Sequence, residues 1–248
     1  MSNDGFENKH LAEKDEESFY NRGKNYWSTV EPTVDGMLGG FSSISAIDIQ
    51  SSSRFLCQFF APIQCLEKGS RENDLHVAFR ENKLCLDCGA GIGRVTKHLL
   101  LNFFEKVHLL EQNTAFLETA KTYIGQETFA QRVDKVYACS IHRFEPDSSI
   151  KYDLIWCQWV TGHLTDDDFV LFLKKCKSIL NKDHGIIVIK DNHTSSNECD
   201  ADTKDSSVTR PYWLLRDIFK KAGLKVLEER RQYKFPKGLY PVKMFALQ

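Results

Sequence analysis

The sequence predicts an α/β fold, a seven-stranded, mostly parallel sheet with helices on both faces and a helical extension ahead of it. Three observations carry this. From Lys83 onward, short apolar runs alternate with amphipathic segments, the pattern of parallel strands joined by crossover helices. The first run, Lys83-Leu84-Cys85-Leu86-Asp87-Cys88, opens directly into Gly89-Ala90-Gly91-Ile92-Gly93 and then a helical pattern. The last two runs are separated by a short turn at 234–238 with no helix, so they should pair antiparallel at one edge.

In order along the core, strands are predicted at 84–87, 106–110, 135–139, 154–158, 186–190, 225–231 and 244–247. Helices are predicted at 94–103, 114–124, 166–180 and 212–222. Ahead of the core, residues 1–17 are polar and aperiodic, and read as a disordered arm. The segment from Phe19 to Trp27 has helical aromatic spacing, and residues 48–60 read as a helix. Between them lies Pro32-Thr33-Val34-Asp35-Gly36-Met37-Leu38-Gly39-Gly40-Phe41. It is too apolar for a linker and too rich in glycine for a helix. A gating lid and a tight turn packing two helices are both consistent with that composition. Residues 67–82 read as a polar surface loop. One domain over 18–248 is expected, with 18–82 as extension and lid and 83–248 as the core.

Composition narrows the classes. The chain has 248 residues, 42% hydrophobic and 27% charged, enough for one large core. A net charge of −1 provides no bulk field for nucleic acid or an anionic membrane. No run approaches a membrane span, and the N-terminus lacks an apolar signal core. The eight cysteines show no paired CxxC spacing, and Cys85, Cys139 and Cys157 fall in apolar strands. They read as buried thiols of a reducing compartment, not as disulfides or metal ligands.

Strand, glycine turn and helix together form a nucleotide-binding crossover. Gly89, Gly91 and Gly93 let the backbone approach a ligand, whose polar groups then meet helix N-terminal N–H groups. Arg94 stands where a dinucleotide fingerprint carries its last glycine. The alternative to a ligand is a tight turn with none. An Asp opening a G-x-G-x-G turn resembles motif I of the S-adenosylmethionine (SAM)-dependent methyltransferases, whose cationic cofactor suits a nearby carboxylate. Glu111 ends the next strand, about twenty residues on, where a crossover places a ribose-binding acid. It could otherwise be a solvated acid ahead of a helix that Asn113-Thr114 caps.

In open α/β sheets ligands bind beyond the carboxyl ends of the strands. That rule brings Gln158, Trp159 and His163 to the working end, with Lys190-Asp191-Asn192 beside them. A polar insertion follows with Glu198, Asp200, Asp202, Asp205, Ser206 and Ser207. Its aspartates could hold a cation or simply be solvated.

Several blocks resemble the protein N-terminal Xaa-Pro-Lys N-methyltransferases. They are Tyr26-Trp27, the stretch Pro32 to Gly40, Leu86 to Arg94, Gln158-Trp159-Val160 with Gly162-His163-Leu164-Thr165-Asp166, Gly185 to Asn192, and Asp205-Ser206-Ser207-Val208. The likeness runs in order over about residues 18–248. It implies a Rossmann-like class I methyltransferase fold and SAM as cofactor. The implied substrates are proteins beginning Xaa-Pro-Lys or Xaa-Pro-Arg after initiator Met removal, with nucleus and cytoplasm as location. It assigns Gly89, Gly91, Arg94, Glu111, Ile141, His142 and Gln158 to the cofactor. It assigns Trp27, Leu38, Trp159, Asn192, Asp202, Ser207 and Tyr240 to the peptide, and His163 with Asp205 to deprotonation of the amine. Glu111 replaces the family's usual Asp, and His142 its usual Gln. An α-amine, with a pKa of roughly 7.7–8.0, needs little help to lose its proton, unlike a lysine near 10.4.

Overall fold

The computed structural model describes residues 13–63 and 83–248. The predicted loop at 67–82 and the start of the predicted arm lie outside the described residues. Helix α1 spans Glu13–Thr29 and so takes in the last five residues read as arm. A one-turn helix α2, Val34–Met37, and helix α3, Ser45–Leu56, complete the extension. Thr33 starts α2 as its cap, accepting the Gly36 N–H at 3.1 Å.

The core strands are β1 Leu84–Cys88, β2 Lys106–Leu110, β3 Val136–Tyr137, β4 Leu154–Gln158, β5 Ile186–Thr194, β6 Asp200–Asp202, β7 Ser207–Pro211, β8 Val226–Arg231 and β9 Val242–Leu247. The helices are α4 Arg94–His98, α5 Thr114–Ile124, α6 Gln126–Arg132, α7 Asp166–Ser178 and α8 Tyr212–Lys221. The main sheet runs β3-β2-β1-β4-β5-β9-β8. Its first five strands are parallel, β9 runs antiparallel to β5, and β8 antiparallel to β9. The predicted antiparallel edge is therefore present. Strand order reverses between β1 and β4, which opens a crevice at their carboxyl ends.

The strands show why both faces are covered. In β4, Ile155 and Cys157 face one core with Phe169, Phe172, Leu215 and Phe219 of α7 and α8. Leu154 and Trp156 face the other, with Phe55 and Leu56 of α3 and Leu117, Ala120 and Ile124 of α5. Every side chain of β4 is buried. The α3 helix thus belongs to the same layer as α5, and the extension is integral to the core.

The structure departs from the predicted elements in several places. The helix expected over 94–103 ends at His98, because Leu99 leaves helical backbone at φ −122°, ψ −66°, and a 3-10 turn, Leu100–Asn102, follows. The strand expected over 135–139 keeps only two residues. Helix α6 was not predicted, and all of its side chains are exposed or half-buried. Among the described residues the main sheet has the seven strands predicted, and β6 and β7 add an unpredicted hairpin within the polar insertion. The β6 side chains are all exposed, so no apolar alternation marks the strand; its pairing with β7 makes it one. Strand β5 also runs on to Thr194, where His193 and Thr194 pair with Arg210 and Pro211 of β7.

Candidate active site

The turn after β1 is built for close approach. Gly89 sits at φ +70°, and a Cβ there would lie 2.5 Å from Cγ2 of Val160 and 2.7 Å from its Cβ. Gly91 sits at φ +56° and donates its N–H to Glu111 Oε2 at 2.9 Å. The other Glu111 oxygen accepts the Asn113 N–H at 2.8 Å. Glu111 therefore locks the turn from the end of β2 while lining the cavity beside it. Burial pushes its carboxyl above the usual range, and the backbone N–H bonds oppose that rise.

Asp87 plays a different part from the one its position suggested. It is buried, does not line the cavity, and accepts the Thr96 hydroxyl of α4 at 2.6 Å. Burial pushes its pKa up to about 6, against an ordinary 3.8. A folded-state pKa above the unfolded one means that Asp87 favours folding more as pH falls from about 6 toward 4, and opposes it above that window. Asp87→Asn should therefore gain stability over the wild type at pH 7.5, by roughly 2 kcal/mol, and lose that advantage by pH 4. Urea unfolding at the two pH values measures this; an advantage that does not change with pH would contradict it.

A buried polar cluster lies behind the cavity floor. Asp48 of α3 is fully buried. Its carboxylate accepts from Arg94 Nη1 at 2.8 Å, from Gln158 Nε2 at 2.9 and 3.0 Å, and from Lys190 Nζ at 2.5 Å. Burial pushes the Asp48 carboxyl up, but Lys190 and Arg94 outweigh it and hold the group below its ordinary value. The Gln158 carbonyl accepts the Trp156 indole N–H at 3.1 Å, so the whole amide is oriented from within. Arg94, held in place by this carboxylate, lines the cavity.

Two spaces meet at the carboxyl ends of β1, β4 and β5. The first, about 1000 Å³ and partly open to solvent, is lined by Gly89, Gly91, Arg94, Glu111, Ile141, His142 and Gln158. All seven predicted cofactor residues are therefore brought together. His142 stacks on Tyr20 of α1, ring centroids 3.7 Å apart, so the extension closes this space at one end. The second is a groove of about 1170 Å³, lined by Leu38, Asn192, Asp205, Ser207 and Tyr240 among others. Four residues line both spaces: Trp27, Met37, Trp159 and His163. Trp159 and Ser206 hold left-handed backbone, at φ +53° and +57°, a strained conformation for non-glycine residues and one that clusters at functional sites.

His163 ends a 3-10 turn, Thr161–His163, that is pinned from below. The Thr161 hydroxyl donates to Asp191, and Arg210 of β7 donates to the Thr161 carbonyl at 3.0 Å. Asp191 also accepts the Asn192 N–H at 2.9 Å, so one buried carboxylate holds both Asn192 and the turn. Asp205 accepts the Ser207 hydroxyl at 2.7 Å on the groove wall. Asp202 is the one predicted residue that does not join the others. It is exposed on β6, caps the Lys204 N–H at 2.7 Å, and does not line the groove. Tyr240 is tied by its hydroxyl to Asp200 instead.

The segment read as either a lid or a tight turn lies beside both spaces. Met37 reaches over the glycine turn, its Sδ 2.7 Å from where a Gly91 Cβ would stand. Leu38 and Gly39 line the groove, and Gly39 and Gly40 have open space around them. Asp48 and Arg210 were missed as site residues. Both act through contacts between distant segments, which no local pattern marks.

Comparisons with known proteins place the chain in a family. The sequence profile of the family described as AdoMet dependent proline di-methyltransferase matches residues 15–248. N-terminal Xaa-Pro-Lys N-methyltransferase 1-B of Xenopus laevis is 45% identical over 235 residues, covering 95% of this chain and 97% of that protein. N-terminal Xaa-Pro-Lys N-methyltransferase 1 of Homo sapiens is 45% identical over 237 residues, with the same coverage. Among solved structures, a SAM-dependent methyltransferase of Leishmania major superposes with a TM-score of 0.78 at 34% identity, covering 93% of this chain and 83% of that one. The chain is thus a class I SAM-dependent N-methyltransferase, and it belongs to the AdoMet-dependent proline di-methyltransferase family.

Proposed function

We propose that this enzyme methylates the α-amine of proteins that begin Xaa-Pro-Lys or Xaa-Pro-Arg, with His163 and Asp205 managing the amine proton. The observation that supports this most is the junction of a cofactor cavity with a separate groove at Trp27, Met37, Trp159 and His163. A donor in one space and a chain end in the other would meet there. The relatives' names support the substrate class.

The cavity fits SAM. Glu111 retains lone pairs for ribose hydroxyls, and the Arg94 guanidinium suits a carboxylate. Ile141 and His142 offer a flat, largely apolar wall. SAM supplies an electrophilic methyl group when bound. The chain's residues supply position and a proton acceptor. Trp159, half-buried and 6.3 Å from the Phe235 ring, offers a face to a proline ring. The Asn192 amide suits the first peptide carbonyl. Asp205 offers a carboxylate to the amine or to the third-position cation, while imidazole is the natural acceptor near neutral pH. Holding the amine at attack distance contributes much of the acceleration, since no covalent enzyme intermediate is needed.

A series of hexapeptides tests the substrate class. An Xaa-Pro-Lys peptide should be methylated about 100-fold faster than the same peptide with Glu at the third position or Leu at the second. Equal rates across the series would overturn the assignment.

A further inference from the structure

The His163 imidazole is bonded at both nitrogens. The Trp27 indole N–H lies 3.0 Å from Nε2, and an indole nitrogen can only donate. Nε2 must therefore carry the lone pair, and the ring proton must sit on Nδ1. Nδ1 lies 3.2 Å from the Ser206 carbonyl, an acceptor, which requires the same tautomer. Neutral imidazole has one in-plane lone pair. Here it is occupied, so the atom through which His163 could take a proton is capped by Trp27.

The bond also stands in the doorway. Both partners line the cofactor cavity and the groove, so an amine passing from one toward the other meets the pair. The two sides differ in freedom. The His163 N–H is fixed to the Val160 carbonyl at 3.1 Å, and the turn below it is held by Asp191 and Arg210. The Trp27 backbone is fixed by Asn113 Nδ2 at 3.1 Å, but the indole is half-buried and meets its ring neighbours only edge-on, Phe116 at 6.5 Å and Tyr26 at 5.4 Å. The indole is the part that can yield.

We propose that Trp27 is a latch on His163: its N–H fixes the Nδ1–H tautomer and caps Nε2 until a chain-terminal amine displaces it. Trp27 is thereby a positioning residue in addition to lining both spaces. The proposal rests on the reading of His163 as proton acceptor. It also gives the extension helix a role in the chemistry, since α1 carries the cap.

The test uses the full chain without ligand. In enzyme labelled with 15N-histidine, NMR should assign Nε2 of His163 as the unprotonated, hydrogen-bonded nitrogen. If Nδ1 is the unprotonated nitrogen, the latch is overturned without any variant. Trp27→Phe keeps a ring and removes the donor. Carbethoxylation of His163 by diethylpyrocarbonate, followed by mass spectrometry, should then accelerate about fivefold, as expected for loss of one hydrogen bond. His98, remote and bonded to Tyr123, serves as the internal reference and should not change. An unchanged His163 rate relative to His98 would overturn the latch. Failure of the underlying reading looks different: His163→Ala would then retain wild-type turnover, whatever the tautomer.

Discussion

Asp48→Asn should weaken SAM binding by tenfold or more and destabilise the fold by about 3 kcal/mol, the scale for breaking a buried ion pair. Asp48 accepts three cationic or amide donors at once. An asparagine there presents an N–H₂ to at least one of them. Arg94 and Lys190 would lose their shared counter-charge while remaining buried. Arg94 would then swing or draw in water, and Gln158 would lose the bond that fixes its amide. Calorimetry with S-adenosylhomocysteine and urea unfolding separate the two effects. Undiminished affinity in a destabilised but folded Asp48→Asn protein would show that Asp48 supports the fold alone. Lys190→Met should be milder for the cofactor, since Arg94 keeps its carboxylate.

His163→Ala and Asp205→Asn should each lower turnover on an Xaa-Pro-Lys peptide by about 100-fold, the lower range for loss of a proton acceptor. SAM affinity should stay within about threefold, because the hydrogen bonds of these two side chains go to Trp27, Ser206 and Ser207 and not to the Gly89–Glu111 turn. The two variants should respond differently to pH. Asp205→Asn removes a carboxylate that would hold the ammonium form, so part of its deficit should disappear at pH 9, where the amine deprotonates unaided. A large loss of cofactor affinity in either variant would contradict the division between the two spaces.

The sheet and the cofactor side were legible in the sequence for a physical reason. Parallel strands buried on both faces must be short apolar runs, and β2 and β4 were read to the residue. The glycine turn announces itself because Gly89 and Gly91 need left-handed backbone against Val160 and Met37. The missed features share another property. Asp48, 142 positions from Lys190 and 110 from Gln158, looks like any helix acid until the chain folds. The β6–β7 hairpin carries no apolar alternation, so its pairing and the outward position of Asp202 follow from register alone. The Trp27–His163 bond likewise joins residues 136 positions apart, one in the extension and one in the core. Asp87, read as a ligand-facing acid, turned inward because Thr96 on the next helix satisfies it.

The central claim is that an uncharged chain-terminal nitrogen is the methyl acceptor. The direct measurement incubates the wild-type enzyme with isotope-labelled SAM and a peptide that begins Xaa-Pro-Lys and also contains internal lysines, then locates the label by fragment-ion mass spectrometry. The account predicts label on the first residue's α-nitrogen and none when that nitrogen is acetylated beforehand. Label on lysine side chains, or transfer that survives acetylation, would contradict it.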